Sequence, residues 1–133
     1  MIELYDTSAL ILAARDADAR TALSAALERD EVAISEPILL EYLNGARNEA
    51  EYLRFDRALR AAHLVRTSEA DWQRALDVHR RLAATGPGHQ RAVRLVDLIV
   101  AACAERNALA IVHLDADYER IASITGQPQR RLV

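Results

Sequence analysis

A chain of 133 residues, 51% hydrophobic and 28% charged, carries enough apolar material for one buried core and too little polar excess for disorder, so a single domain over residues 1–133 is expected. The formal net charge of -3 gives no bulk attraction to nucleic acid, and a polyanionic ligand would have to be held by a local arginine cluster or through metal ions. All 17 basic residues are Arg, which excludes a phosphate-loop lysine and a Schiff-base lysine; the lone Cys103 excludes an internal disulfide and a cysteine zinc cluster.

The longest apolar run, residues 98–104, is far short of the roughly 18 residues of a membrane span, and no basic region followed by an apolar block opens the chain. A cytoplasmic protein without membrane contact is expected. Ile2, Glu3, Leu4 and Tyr5 form a strand-like run that stops at Asp6 and passes through Thr7 and Ser8 into an apolar helical pattern. Such a switch suits the carboxyl edge of a sheet, where open α/β folds place their chemistry, although Asp6 is equally suited to cap the helix that begins near Ser8.

Residues 17–29 line up Ala19, Ala22, Leu23, Ala26 and Leu27 on one stripe, as an outer helix does. Val32, Ala33 and Ile34 read as a short buried strand, and Ser35 with Pro37 opens the next helix. Within that helix Glu41 sits among Ile38, Leu39, Leu40, Tyr42 and Leu43, and Gly45 ends it. Helical periodicity resumes over residues 48–62, with Arg54, Arg57 and Arg60 as a solvated face, and residues 63–66 form a brief strand. Ser68 and Asp71 resemble a capping box opening a helix that runs through Trp72 to Leu82.

Gly86, Pro87 and Gly88 oppose helix and mark a loop. Asp97 follows inside an apolar helical run, residues 96–102, which Asn107 terminates. Residues 108–114 read as a central parallel strand covered on both faces, ending at Asp115 and Asp117. A short helix through Tyr118, Ile121 and Ala122 stops at Gly126, and residues 131–133 supply an edge strand. The β-α-β alternation predicts a three-layer α/β/α domain with a mostly parallel central sheet of four to five short strands.

Asp6 and Asp115 each follow an apolar strand, while Glu41 and Asp97 each lie inside an apolar helix. Buried carboxylates must be paired, protonated or bound to metal, and one site in which all four converge on a divalent ion explains them together. Carboxylate oxygens without His or Cys partners select Mg²⁺ or Mn²⁺ over Zn²⁺, and His63, His79, His89 and His113 show neither an HExxH motif nor a close pair. One or two such ions, about 3.5 to 4 Å apart when there are two, can activate water and stabilise the leaving oxygen of a phosphodiester. That chemistry is a nuclease's.

Asp6-Thr7-Ser8-Ala9-Leu10, the embedded Glu41 followed by Gly45, the helix from Asp97 to Ala102 and the block from His113 to Ala122 resemble a PIN-domain ribonuclease. More narrowly, the chain is similar to the VapC toxins of bacterial toxin-antitoxin pairs, over essentially its whole length. The resemblance implies a PIN-like fold and a Mg²⁺-dependent endoribonuclease toxin of a type II system. A homodimer, a cognate VapB-type antitoxin and a transfer, ribosomal or messenger RNA substrate are implied with it. It makes Asp6, Glu41, Asp97 and Asp115 the catalytic and metal-holding acids, with Asp117 as a fifth. Thr7 or Ser8 matches the family's hydroxyl beside the first acid, where it orients a ligand or a water; capping serves it equally well. His113 is expected in packing or hydrogen bonding behind the acids, and Arg91 and Arg94 could hold RNA phosphates or be plain solvated surface.

Two other readings remain open: a catalytically silent PIN-like binding or scaffold module, and a different metal-dependent phosphohydrolase. Against the second, a haloacid-dehalogenase-like phosphatase requires an acid where Ser8 stands and a later lysine, which this chain lacks.

Overall fold

The computed structural model describes residues 1–133. Five parallel strands, β1 (Glu3–Tyr5), β2 (Val32–Ser35), β3 (His63–Val65), β4 (Ile111–His113) and β5 (Gln129–Arg131), form one sheet in the order β3-β2-β1-β4-β5. Seven helices join and cover them in three α/β/α layers: α1 (Thr7–Arg15), α2 (Ala17–Glu28), α3 (Glu36–Asn44), α4 (Glu49–Leu59), α5 (Glu69–Ala84), α6 (Leu95–Arg106) and α7 (Ala116–Thr125). A single 3-10 turn, His89–Ala92, follows the Gly-Pro-Gly loop.

From β1 the chain builds outward to β2 and β3 on one side; β4 and β5 extend the other. The order therefore reverses between β1 and β4, which pair through Leu4 with Ile111 and Tyr5 with Val112. Diverging connections leave a crevice beyond the carboxyl ends of two such strands. Asp6 is the first residue past β1, and Asp115 stands two residues past β4.

The interior strands are apolar because both of their faces are covered: Leu4, Val32, Ile34, Ile111 and Val112 are all buried, and α6 packs Leu98, Val100, Ala101 and Ala104 into the same core. The edge strands read differently for the same reason, β3 being largely exposed and β5 carrying two exposed arginines. Two boundaries depart from the sequence expectation. The strand expected over residues 108–114 begins only at Ile111, because Ala108 takes a left-handed φ of 55° and Leu109 N–H donates back to Ala104 C=O, so these residues are the exit from α6. The edge strand expected at residues 131–133 is Gln129–Arg131 instead; Leu132 gives the apolar signal, but it buries just past the ladder, where its N–H meets His113 C=O.

An ion pair between a buried acid and a half-exposed arginine ties the start of α5 to the end of α6. Asp71 is 1% exposed and accepts Ser68 N–H at 2.9 Å and Arg106 Nε at 2.8 Å. Burial pushes this carboxyl upward, but the Arg106 guanidinium and the Ser68 amide outweigh it and hold it below the usual carboxylate range. Removing the cation would strand a buried charge. Arg106→Met is expected to lower the urea-unfolding midpoint with an unchanged m-value, and an unchanged midpoint would contradict this assignment.

Candidate active site

Asp6 leaves β1 in extended conformation, its N–H bonded to Val112 C=O, and caps α1. Its Oδ2 accepts both the Ser8 amide at 3.0 Å and the Ser8 hydroxyl at 2.6 Å. Ser8 Oγ in turn accepts Leu114 N–H at 2.9 Å, so its proton is directed at Asp6 and the ends of β1 and β4 are stitched together. Capping uses only Oδ2. Oδ1 faces the other way and accepts the Tyr118 hydroxyl at 2.6 Å.

Tyr118 also lies 3.2 Å from Asp97 Oδ1, so one buried phenol bridges the acid after β1 and the acid in the first turn of α6. Asp97, Asp115 and Asp117 form a tighter group, each offering an oxygen within 4.8 Å of the others. Asp115 caps α7 and accepts Asp117 N–H at 2.9 Å, while Asp117 accepts the Arg94 amide at 2.9 Å and Arg120 Nη1 at 3.1 Å. The site is thus Asp6 and Asp97 joined by a phenol, with Asp115 and Asp117 beside Asp97.

Glu41 is set apart. It sits on the solvent side, 22% exposed, with Oε1 taking the Thr7 hydroxyl at 2.9 Å and Oε2 taking Arg94 Nη2. The two hydroxyls after Asp6 therefore divide their work: Ser8 serves the first acid, and Thr7 serves Glu41. Arg91, in the 3-10 turn, is exposed and joins none of the acids. Arg94 reaches an acid rather than standing free.

Asp97 is fully buried, and its Oδ2 has no hydrogen-bond partner. Burial first, then the neighbouring Asp117 carboxyl and the charges of Asp6 and Asp115, push its carboxyl up to about 8, with Arg94 pulling only partly the other way. An all-oxygen donor set with one unsatisfied buried oxygen fits a cation, which would relieve the repulsion that otherwise keeps a proton on Asp97. The cluster can bind a metal ion.

Behind the acids, His113 is fully buried; its Nδ1 accepts Asp115 N–H at 3.0 Å, which leaves Nε2 to donate to Gln129 Oε1 at 2.6 Å. The supporting role expected of it from sequence is the one it has. Tyr118, Arg120 and Gln129 were not singled out as site residues by the sequence. A Tyr three residues after a cap acid on an apolar helix face is a usable signal for the first, since a buried Tyr hydroxyl needs a partner.

The raised Asp97 carboxyl makes the stability of the fold depend on pH. Between about 4 and about 8 the folded state holds a proton that the unfolded chain releases, so stability falls as pH rises through that window and levels off above it. In EDTA, the melting temperature of the wild type is expected to drop between pH 5 and 8.5, while Asp97→Asn loses most of that slope. Parallel profiles for the two proteins would contradict the assignment.

The PIN domain family model matches residues 4–124. Ribonuclease VapC18 of Mycobacterium tuberculosis is 36% identical over 133 residues, covering 100% of this chain and 96% of the relative. Ribonuclease VapC51 of the same organism is 38% identical over 130 residues, covering 98% and 92%. Among solved structures, VapBC-1 from nontypeable Haemophilus influenzae superposes with a TM-score of 0.78 at 15% identity, covering 99% and 98% of the two chains. VapBC2 from Rickettsia felis, bound to a DNA fragment from its promoter, gives 0.75 at 16% identity, covering 98% of each. At such identities these structures speak for the fold, and the family model and full-length relatives speak for descent. With the strand order, the switch-point acids and these matches together, the chain belongs to the PIN-domain family, among the VapC ribonucleases.

Proposed function

We propose that this chain is a Mg²⁺- or Mn²⁺-dependent endoribonuclease, the toxin of a type II toxin-antitoxin pair, acting in the cytoplasm on RNA phosphodiester bonds. The observation that carries the reading is the packing of Asp97, Asp115 and Asp117 within ligand distance of one another, with Asp6 tied to Asp97 through Tyr118 at the sheet's switch point. Carboxylate-only donors favour a hard cation, hence Mg²⁺ or Mn²⁺. Such an ion, when bound, acts as a Lewis acid on the phosphate and lowers the pKa of water.

The protein's own residues supply the rest. Asp97, Asp115 and Asp117 would hold the ion, and Asp6, aligned by Ser8 and Tyr118, completes the acidic wall. Glu41, on the solvent side and held by Thr7 and Arg94, closes the outer rim of the acidic pocket. Arg91, exposed in the turn three residues before Arg94, is free to meet a phosphate of the substrate. A silent scaffold on the same fold would gain nothing from burying Asp97 with one oxygen unpartnered.

The partners proposed are RNA, a second copy of the chain and a VapB-type antitoxin. The relatives' names as ribonucleases and the neighbours' descriptions as VapBC complexes support the first and the last. Two apolar surfaces are available to proteins: Trp72, Leu76 and Leu95 along α5 and α6, and a cleft lined by Ile11, Tyr42 and Phe55 between α1, α3 and α4. No helix is long and apolar enough to cross a membrane.

Purified protein incubated with RNA is expected to cleave it in Mg²⁺ or Mn²⁺ and to stop in EDTA, and Asp6→Ala or Asp97→Ala is expected to reduce the rate about a hundredfold or more. Cleavage that survives both the chelator and these substitutions would sink the metal mechanism.

A further inference from the structure

Two acids of the proposed set are paired with a cation, Asp117 with Arg120 and Glu41 with Arg94, and of these Glu41 is the one whose two oxygens both serve side-chain donors. Its Oε1 accepts the Thr7 hydroxyl and its Oε2 the Arg94 guanidinium, so an ion drawing on both oxygens has to compete with a resident cation. Asp97, a few residues along the same chain segment as Arg94, is the opposite case, with Oδ2 bare. The Arg94 backbone is pinned separately, its amide donating to Asp117 Oδ2 at 2.9 Å, while its side chain is 57% exposed. A long, half-solvated guanidinium anchored at its base and reaching into a carboxylate site is a movable counter-charge rather than a structural strut.

We propose that Arg94 is a resident counter-cation that holds Glu41 out of the ion-binding set and thereby sets the affinity of the site for a divalent ion. The proposal rests on the metal-dependent reading above and assigns a positioning role to a residue outside the acid set. Its logic is competition for a single carboxylate. A divalent ion that recruits Glu41 must displace Arg94, and the displaced guanidinium remains close enough to repel the ion: attraction to Asp97, Glu41 and Asp6 outweighs the burial that opposes the Arg94 charge. Two cations linked in this way weaken each other's hold reciprocally, and the strength of the linkage is measurable as a coupling between substitutions.

Isothermal titration of Mn²⁺ into the metal-stripped full chain tests this without reading activity. Four proteins are compared: wild type, Arg94→Gln, Glu41→Gln and the double variant. Arg94→Gln is expected to bind Mn²⁺ about tenfold more tightly than wild type, and most of that gain is expected to vanish when Glu41→Gln is the background. Arg94→Lys keeps the charge and is expected to stay near wild type. Because the backbone amide, not the side chain, serves Asp117, these variants should melt as the wild type does in EDTA. Unchanged or weaker binding by Arg94→Gln overturns the proposal. So does an equal gain in the Glu41→Gln background, which would reduce Arg94 to a general positive charge. Failure of every variant to bind Mn²⁺ overturns both this proposal and the metal-dependent reading; binding with unaltered affinity in Arg94→Gln overturns this proposal alone.

Discussion

Like charges a few ångströms apart repel strongly once water is excluded, and the carboxyl edge of β1 and β4 holds several carboxylates under that condition. The backbone makes this unavoidable. Because β1 and β4 are adjacent parallel strands, the residues that follow them emerge side by side, and α6 and α7 deliver Asp97 and Asp117 to the same crevice. The fold concentrates negative charge, and the remaining residues of the site are understood as responses to it.

Those responses are graded. Asp6 is satisfied by neutral donors, the Ser8 amide and hydroxyl and the Tyr118 phenol, which keep it oriented without cancelling its charge. The outer acids receive cations: Arg120 reaches Asp117 and Arg94 reaches Glu41. Asp97, at the centre, receives least, a long contact from Tyr118 and nothing on Oδ2. The electrostatic deficit therefore falls on the deepest residue, where a divalent cation would gain most. Beneath this, His113 and Gln129 hold the Asp115 amide in place from the far side of β4.

Much of this was readable in the chain, for physical reasons that differ by element. The interior strands announced themselves because Leu4, Val32, Ile34, Ile111 and Val112 are buried on both faces, and the acids stood out because a charge in an apolar run demands a partner. The edge of the sheet was less legible: Gln129, Arg130 and Arg131 pair by backbone alone, and Leu132 misdirected the reading by two residues. Ala108 reads as strand because no residue type betrays its left-handed turn. In the site, the residue types of the acids gave their chemistry away, whereas the division of labour between Thr7 and Ser8, the Tyr118 bridge and the grip of Arg94 on Glu41 depend on side-chain directions that span up to 112 positions in sequence. Local pattern cannot supply such directions.

The central claim is spatial: one ion sits among carboxylates gathered by the meeting of β1 and β4. Anomalous diffraction from crystals soaked in Mn²⁺ locates the ion without reference to activity or to substitutions. The claim predicts an anomalous peak within coordination distance of Asp97, Asp115 or Asp117, on the side facing Asp6. A strong peak elsewhere on the molecule, with this crevice empty at saturating Mn²⁺, would contradict it.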